Sequence, residues 1–338
     1  MNGREGLSSV AAALRRYRRF IVTSHVHPDG DAVGSVLAMG WILRQLRKEV
    51  RLLLPERVPA AYTFLPGQEL IEVAGPAGPA EDAEGERPLW PAEAVVVVDC
   101  SDADRLGPVQ KLLPPGAAVI TVDHHLQNEF GEPRYVRTEA AATGELLYEL
   151  IRELGLQLDC DTATCLYTAL LTDTGSFRFA NTTAETLHIA ADLLHLGVSP
   201  SCVAEQVYDV RPLGALRLLA EALATLRVTP CGRVAWLEMD EGMLERHGVD
   251  ASETEGIVNY ARTIAGVKIG ALFRGVGPSL TRVSWRSRPG YDVARLAGRF
   301  GGGGHVNAAG CDIPLPVPEA VKAGVAAALA AIREVDGS

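Results

Sequence analysis

At 338 residues the chain exceeds what one compact core accommodates, so two domains are expected. Its 47% hydrophobic and 22% charged residues are those of an ordinary soluble globular protein, and no run approaches the ~18 consecutive apolar residues of a membrane span. A net charge of −10 excludes a general nucleic-acid coat protein, although Arg262 to Phe300 carries eight basic residues against one acid.

The N-terminal apolar stretch precedes Arg15, Arg16, Arg18 and Arg19 instead of following a basic segment, which is the wrong order for a secretory signal and points to the cytoplasm. The six cysteines (100, 160, 165, 202, 231 and 311) form no C-x-x-C pair and read as reduced, mostly buried thiols. Residues 19–24 read as a strand. Gly34 to Arg47 reads as a helix, since Val36, Leu37, Met39, Trp41, Ile42 and Leu46 recur near a 3.6 period. A second strand spans Val50–Leu54, followed at 74–92 by an exposed loop rich in Pro, Gly and acids. Val95–Val98 is an unbroken apolar strand of a sheet covered on both faces, and another strand runs 117–122. Helices follow at 143–154, 162–172 and 184–196. This alternation implies a doubly wound parallel sheet whose ligand crevice lies beyond the carboxyl ends of its strands. Helical segments at 201–227 make a linker between domains at 1–200 and 228–338. The latter is a smaller α/β domain with strands at 233–239, 267–274 and 280–286, helices near 253–264, 291–299 and 317–333, and a glycine turn at 301–304. A cleft between the two domains is expected to hold the substrate.

Acids and imidazoles bunch where those strands end: His25, Asp29 and Asp31 after the first, Asp99 after the valine strand, Asp123, His124 and His125 after 117–122, with Asp173 in a fourth segment. Pro28 and Gly30 bend the chain so that Asp29 and Asp31 can face the cavity of His25. Asp99 is placed to bridge two ions, since a lone buried carboxylate is costly. Mixed His/Asp ligation without thiolates favours Mn²⁺, with Mg²⁺ or Co²⁺ as alternatives. His188, His195 and His247 read as solvent or packing residues, and His27 stays outside the ligand set.

These segments resemble the four motifs of the DHH phosphoesterase superfamily: His-x-x-Pro-Asp-Gly-Asp-Ala-x-Gly-Ser from His25, Asp-His-His at 123–125 and Thr-Asp-Thr-Gly around Asp173, together with Asp99. Gly301 to Gly310 is similar to the glycine-rich signature of the associated C-terminal domain. Order and spacing most resemble the NrnA-type branch of nanoRNases and 3′-phosphoadenosine 5′-phosphate (pAp) phosphatases. The resemblance implies His25, Asp29 and Asp99 on one metal, and Asp31, Asp99, His124 and Asp173 on the other. It further implies Asp123 orienting a ligand histidine, and His125 facing the scissile phosphate. Glu145 is a supporting acid, in a segment where Ala142 replaces a serine common in the family.

Two cations would activate water for in-line attack on a phosphoester, with Asp99, His124 and His125 as the catalytic set. The second domain would grip the substrate through backbone N–H groups at Gly303 and Gly304, the Arg286 guanidinium with Ser287, His305 and Asn307, and less firmly Arg262 and Lys268. Arg274, Arg288, Arg295 and Arg299 read as solvated. The expected substrates are di- to pentanucleotides, cut to 5′-mononucleotides, and pAp, converted to AMP. A cyclic-dinucleotide phosphodiesterase acting on c-di-AMP or pApA remains an alternative, as does a non-catalytic nucleotide-binding module. A RecJ-like exonuclease lacks its extra domains here, and the glycine turn speaks against a manganese pyrophosphatase. No membrane is expected as a partner; a homodimer is admitted but indicated by no residue.

Overall fold

The computed structural model describes residues 3–74, 90–125, 128, 130–254 and 256–337, so most of the loop expected at 74–92 lies outside the described residues. The chain divides into two compact units, Met1–Val210 and Arg211–Ser338.

The first unit runs α1 (Gly3–Arg16), β1 (Arg19–Thr23), α2 (Gly30–Gln45), β2 (Glu49–Leu54), β3 (Ile71–Val73), β4 (Ala94–Val98), β5 (Ala118–Asp123), β6 (Arg134–Val136), α3 (Thr143–Leu154), α4 (Cys160–Asp173), α5 (Ala184–His195) and α6 (Pro200–Ala204). Its six strands pair in the order β3-β2-β1-β4-β5-β6, all parallel. The chain reverses its direction of winding between β1 and β4, where open α/β sheets bind ligands. β4 is fully buried on both faces, and each of its valines contributes roughly 1.5–3 kcal/mol by leaving water. One face packs Phe20, Val22, Val96 and Val122 against the helices; on the other, Val95 and Val97 meet Leu106 and Val109 of a 3₁₀ segment.

Where structure and expectation differ, polar first turns and short edges explain it. α2 starts at Gly30, not Gly34, because Asp29 caps it by accepting from the Ala32 N–H (3.0 Å). β3 and β6 are three-residue edge strands, too short to show a period. Three of the six free cysteines are exposed (Cys160, Cys202 and Cys231), which corrects the mostly buried expectation. Among the described residues no single helix is long and apolar enough to cross a membrane.

The second unit runs α7 (Leu213–Ala224), β7 (Arg227–Val228), β8 (Val234–Met239), α8 (Met243–His247), α9 (Ile257–Thr263), β9 (Ile269–Gly277), β10 (Leu280–Ser287), α10 (Val293–Gly298), β11 (Gly303–His305), β12 (Ala308–Ile313) and α11 (Val317–Asp336). Its strands pair as β11-β12-β10-β9-β8-β7, with only β8 and β9 parallel. α10 and α11 cover one face over the edge-to-face pair Phe273–Trp285 (5.6 Å). α7, α8 and α9 cover β8 and β9 on the other, and there β11 and β12 stay partly exposed. The glycine turn of the sequence is thus half of a hairpin.

Candidate metal centre

The carboxyl ends of β1, β4 and β5 bring the acids and imidazoles together. Gly30 stands between Asp29 and Asp31 for a steric reason: a Cβ there would lie 2.4–2.9 Å from the Thr172 side chain. Its absence lets the first turn of α2 meet the last turn of α4, which presents Asp173. Gly34, one turn on, repeats the device, since its Cβ would come within 2.5 Å of the Cys165 carbonyl. Asp31 then sits at the N-terminus of α3, accepting from the Thr143 N–H (2.6 Å), the Gly144 N–H (3.1 Å) and the Ser35 hydroxyl (3.0 Å). Asp99 follows β4 with φ +53°, a left-handed backbone that an aspartate tolerates better than most residues.

Backbone carbonyls fix the histidines. His25 Nδ1 donates to the Val26 carbonyl (2.7 Å), which leaves Nε2 facing Asp99 Oδ2 at 3.4 Å. His124 Nδ1 donates to the Ala140 carbonyl (3.2 Å), and its Nε2 lies 3.4 Å from Asp173, 3.6 Å from Asp99 and 3.8 Å from Asp31. Three groups of ligand atoms result, each mutually within 4.8 Å: His25, Asp29 and Asp99; Asp31, His124 and Asp173; Asp99, His124 and His125. Asp99 and His124 each belong to two of them.

The electrostatics suit bound cations. Among the described residues, histidines supply the only basic side chains within 4.0 Å of the carboxylates of Asp31, Asp99 and Asp173; no Lys or Arg comes that close. Asp99 is 2% exposed, and burial, then the charges of Asp31 and Asp29, push its carboxyl well above the usual range. Burial likewise raises Asp31, and raises Asp173 to about 8. Burial works against charging His124, but Asp173, Asp99 and Asp31 outweigh it and lift the imidazole to about 9. Hard oxygen donors crowded at this cost, with imidazoles and no thiolate, are the donor set of divalent cations.

Asp123 stands behind this group. It accepts from the His124 N–H (2.8 Å), His125 Nδ1 (2.7 Å) and the Asn128 amide (2.6 Å); burial opposes ionisation, but these bonds hold its pKa below the ordinary value. Glu145 is buried outside the ligand groups, accepting from the Thr186 hydroxyl (2.5 Å). Several supports were invisible to motif reading. The Thr143 hydroxyl bonds Asp99 (3.2 Å), and the Asn181 amide joins the Ala141 and Asp173 carbonyls (3.1 Å each). Asn181, eight residues beyond Asp173 in a polar turn, carries the nearest thing to a signal: an amide where a backbone crossing needs donors.

In the second unit, register places His305 opposite Ala308, Ala308 opposite Arg286, and Arg286 opposite Gly270. His305 and Arg286 therefore share the partly exposed face, with only small residues between and beyond them. Arg262 backs onto the same row, since a Cβ on Gly270 would meet its backbone N at 2.8 Å. Gly303, Gly304 and Asn307 are exposed. Gly304, at φ +140°, has no room for a Cβ, which would meet the Ala308 carbonyl at 2.6 Å. Ser287 is a correction: it is 2% exposed, its hydroxyl donating to the Tyr291 carbonyl (2.5 Å) and accepting from Asn307 (2.8 Å), so it braces the hairpin instead of facing a ligand. Lys268 turns aside, its Nζ 5.8 Å from the centroid of the Tyr291 ring.

Comparison with known proteins agrees with this architecture. Residues 19–170 match the DHH family N-terminal domain, and residues 233–334 the DHHA1 domain. The chain is 34% identical over 296 residues to the bifunctional oligoribonuclease and PAP phosphatase NrnA of Thermus thermophilus, covering 86% of this chain and 83% of that one. It is 29% identical to the NrnA of Bacillus subtilis, covering 88% and 90%. Among solved structures, an exopolyphosphatase-related protein from Bacteroides fragilis superposes with a TM-score of 0.87 at 26% identity, covering 96% of each chain. RecJ of Thermus thermophilus, solved with Mn²⁺, shares the fold at TM-score 0.54 and 17% identity, covering 98% of this chain and 55% of that one. The chain belongs to the DHH family, its N-terminal domain followed by a DHHA1 domain.

Proposed function

We propose that the chain is a phosphoesterase using two divalent cations, Mn²⁺ first and Mg²⁺ or Co²⁺ as alternatives. It cuts di- to pentanucleotides to 5′-mononucleotides and dephosphorylates pAp to AMP. The observation that carries this reading is the linkage of the ligand groups through Asp99 and His124, with no Lys or Arg among the described residues to neutralise them. The names of the Thermus thermophilus and Bacillus subtilis relatives supply the substrate class.

His25, Asp29 and Asp99 would hold one cation, and Asp31, Asp99, His124 and Asp173 the other. When bound, such a pair neutralises phosphate charge and lowers the pKa of water toward neutrality. The chain's own residues do the rest. Val26 and Ala140 carbonyls keep the two ligand imidazoles in the Nε2-ligating tautomer. Asp123 holds His125 through Nδ1, and we assign His125 a hydrogen bond to a non-bridging phosphate oxygen. In the DHHA1 domain, Arg286, His305 and the Gly303–Gly304 amides would take a second phosphate, with Asn307 holding the hairpin in shape and Arg262 adding charge. A cytoplasmic setting accords with six free cysteines.

The test is the product profile with Mn²⁺ on pAp, pApA, c-di-AMP and a five-nucleotide RNA, read side by side. AMP from pAp and mononucleotides from the linear substrates are expected; preference for the cyclic dinucleotide would replace the substrate class. Full turnover by Asp99→Ala, or none by the wild type on any of the four, would overturn the reading.

A further inference from the structure

Immediately after Asp173 the backbone does something that ligation does not require. Gly175, Ser176 and Phe177 all take left-handed φ values (55°, 61° and 60°). For Ser and Phe that conformation costs about 1–2 kcal/mol each, so other contacts must enforce it. They are present. The Ser176 N–H bonds the Leu171 carbonyl (2.8 Å), the Phe177 N–H the Thr174 hydroxyl (2.9 Å), and the Arg178 and Phe179 N–H groups share the Thr174 carbonyl (3.0 Å each). The chain is thereby folded back on itself, and two side chains converge on Gly175. The distal edge of the Phe179 ring abuts it so closely that a Cβ there would lie 2.3–2.5 Å from Cζ, Cε1 and Cε2. Arg178 Nε donates to the Gly175 carbonyl (2.6 Å). Phe177 turns inward onto Tyr167 (ring centroids 5.9 Å), whereas Phe179 stays 48% exposed and Arg178 is exposed.

We infer that Phe179 is a stacking platform for the nucleobase of the nucleotide whose phosphate is cleaved, with Arg178 supplying a positive edge beside it. This rests on the phosphoesterase reading above and gives the same site its preference for nucleosides. An aromatic ring accepts any base by its π face, which suits an enzyme that must take short RNA of every sequence. The strained turn is what sets an exposed apolar ring against Gly175, two residues beyond Asp173. Phe177, two residues earlier, turns inward onto Tyr167 and leaves Phe179 as the ring this turn presents to solvent.

The test compares wild type, Phe179→Ala and Phe179→Trp in the full chain with Mn²⁺, on pAp and on the same bisphosphate lacking its base. For Phe179→Ala, KM for pAp is expected to rise about tenfold while kcat changes much less, and the loss on the base-free analogue is to be several-fold smaller. Phe179→Trp should restore KM. An equal loss on both substrates, or no loss on pAp, overturns the platform. Failure of the wild type on every nucleotide would sink the phosphoesterase reading instead. In that event the platform is judged by AMP quenching of the added indole fluorescence in Phe179→Trp: quenching beyond that of the wild type supports it, and its absence overturns it.

Discussion

His25 and His124 show how little freedom the site leaves its ligands. Each ring has one nitrogen committed to a backbone carbonyl, so the other is set before any cation arrives. Asp123 performs the parallel task for His125 and for the turn at His124, with three hydrogen bonds on a single carboxylate. Asp123→Asn keeps the shape but loses the charge-assisted bond to His125. Activity on pAp is expected to fall about 10–100-fold with the fold intact by circular dichroism. The acids and imidazoles themselves are legible in the sequence, because all but Asp173 lie directly after β-branched strands and Asp173 sits in its own Thr-Asp-Thr-Gly segment. Their supports are not: a carbonyl such as Ala140 or an N–H such as Thr143 acts through backbone direction, which no side-chain identity records.

At the scale of elements, the centre depends on how closely α2 approaches α4. Gly30 and Gly34 form one stripe along α2, and each faces an α4 atom where a side chain would collide. Gly34→Val is expected to lower stability by about 1–3 kcal/mol, read in urea melts, and to weaken Mn²⁺ binding by displacing Asp173 from Asp31. Unchanged values for both would mean the helices can part without cost. The strands were legible wherever β-branched runs are long, as in Val95–Val98 or Val119–Val122. α1 is not among the elements the sequence predicts, although Val10, Ala11 and Leu14 are buried along it, because small residues (Gly6, Ala11 and Ala13) make up most of its buried face and leave a weak apolar stripe. The sequence predicts only a turn where the β11–β12 hairpin forms, since Gly303 and Gly304 carry no strand propensity; pairing with β12 alone makes them a strand.

For the whole molecule, the crowded acids make stability depend on pH with a definite sign. Asp173, at about 8 in the fold against 3.8 ordinarily, favours folding in its protonated form. That contribution is fully present below about pH 4 and lost as pH rises through about 8. His124, lifted from 6.5 to about 9, loses its contribution in the same direction. In EDTA the melting temperature is therefore expected to fall between about pH 5 and pH 9. Because cations displace those protons, the rise produced by Mn²⁺ should grow over the same range. A flat or rising EDTA profile would contradict the assigned crowding. The left-handed aspartate at the end of β4 carries this logic to its end. Asparagine accepts such a backbone about as readily, and at position 99 it would fill the same space without the charge. Asp99→Asn is expected to be inert toward phosphoesters yet, stripped of metal, to melt above the wild type. A sturdier protein won by disarming it would show that evolution has kept this fold below its attainable robustness in exchange for chemistry.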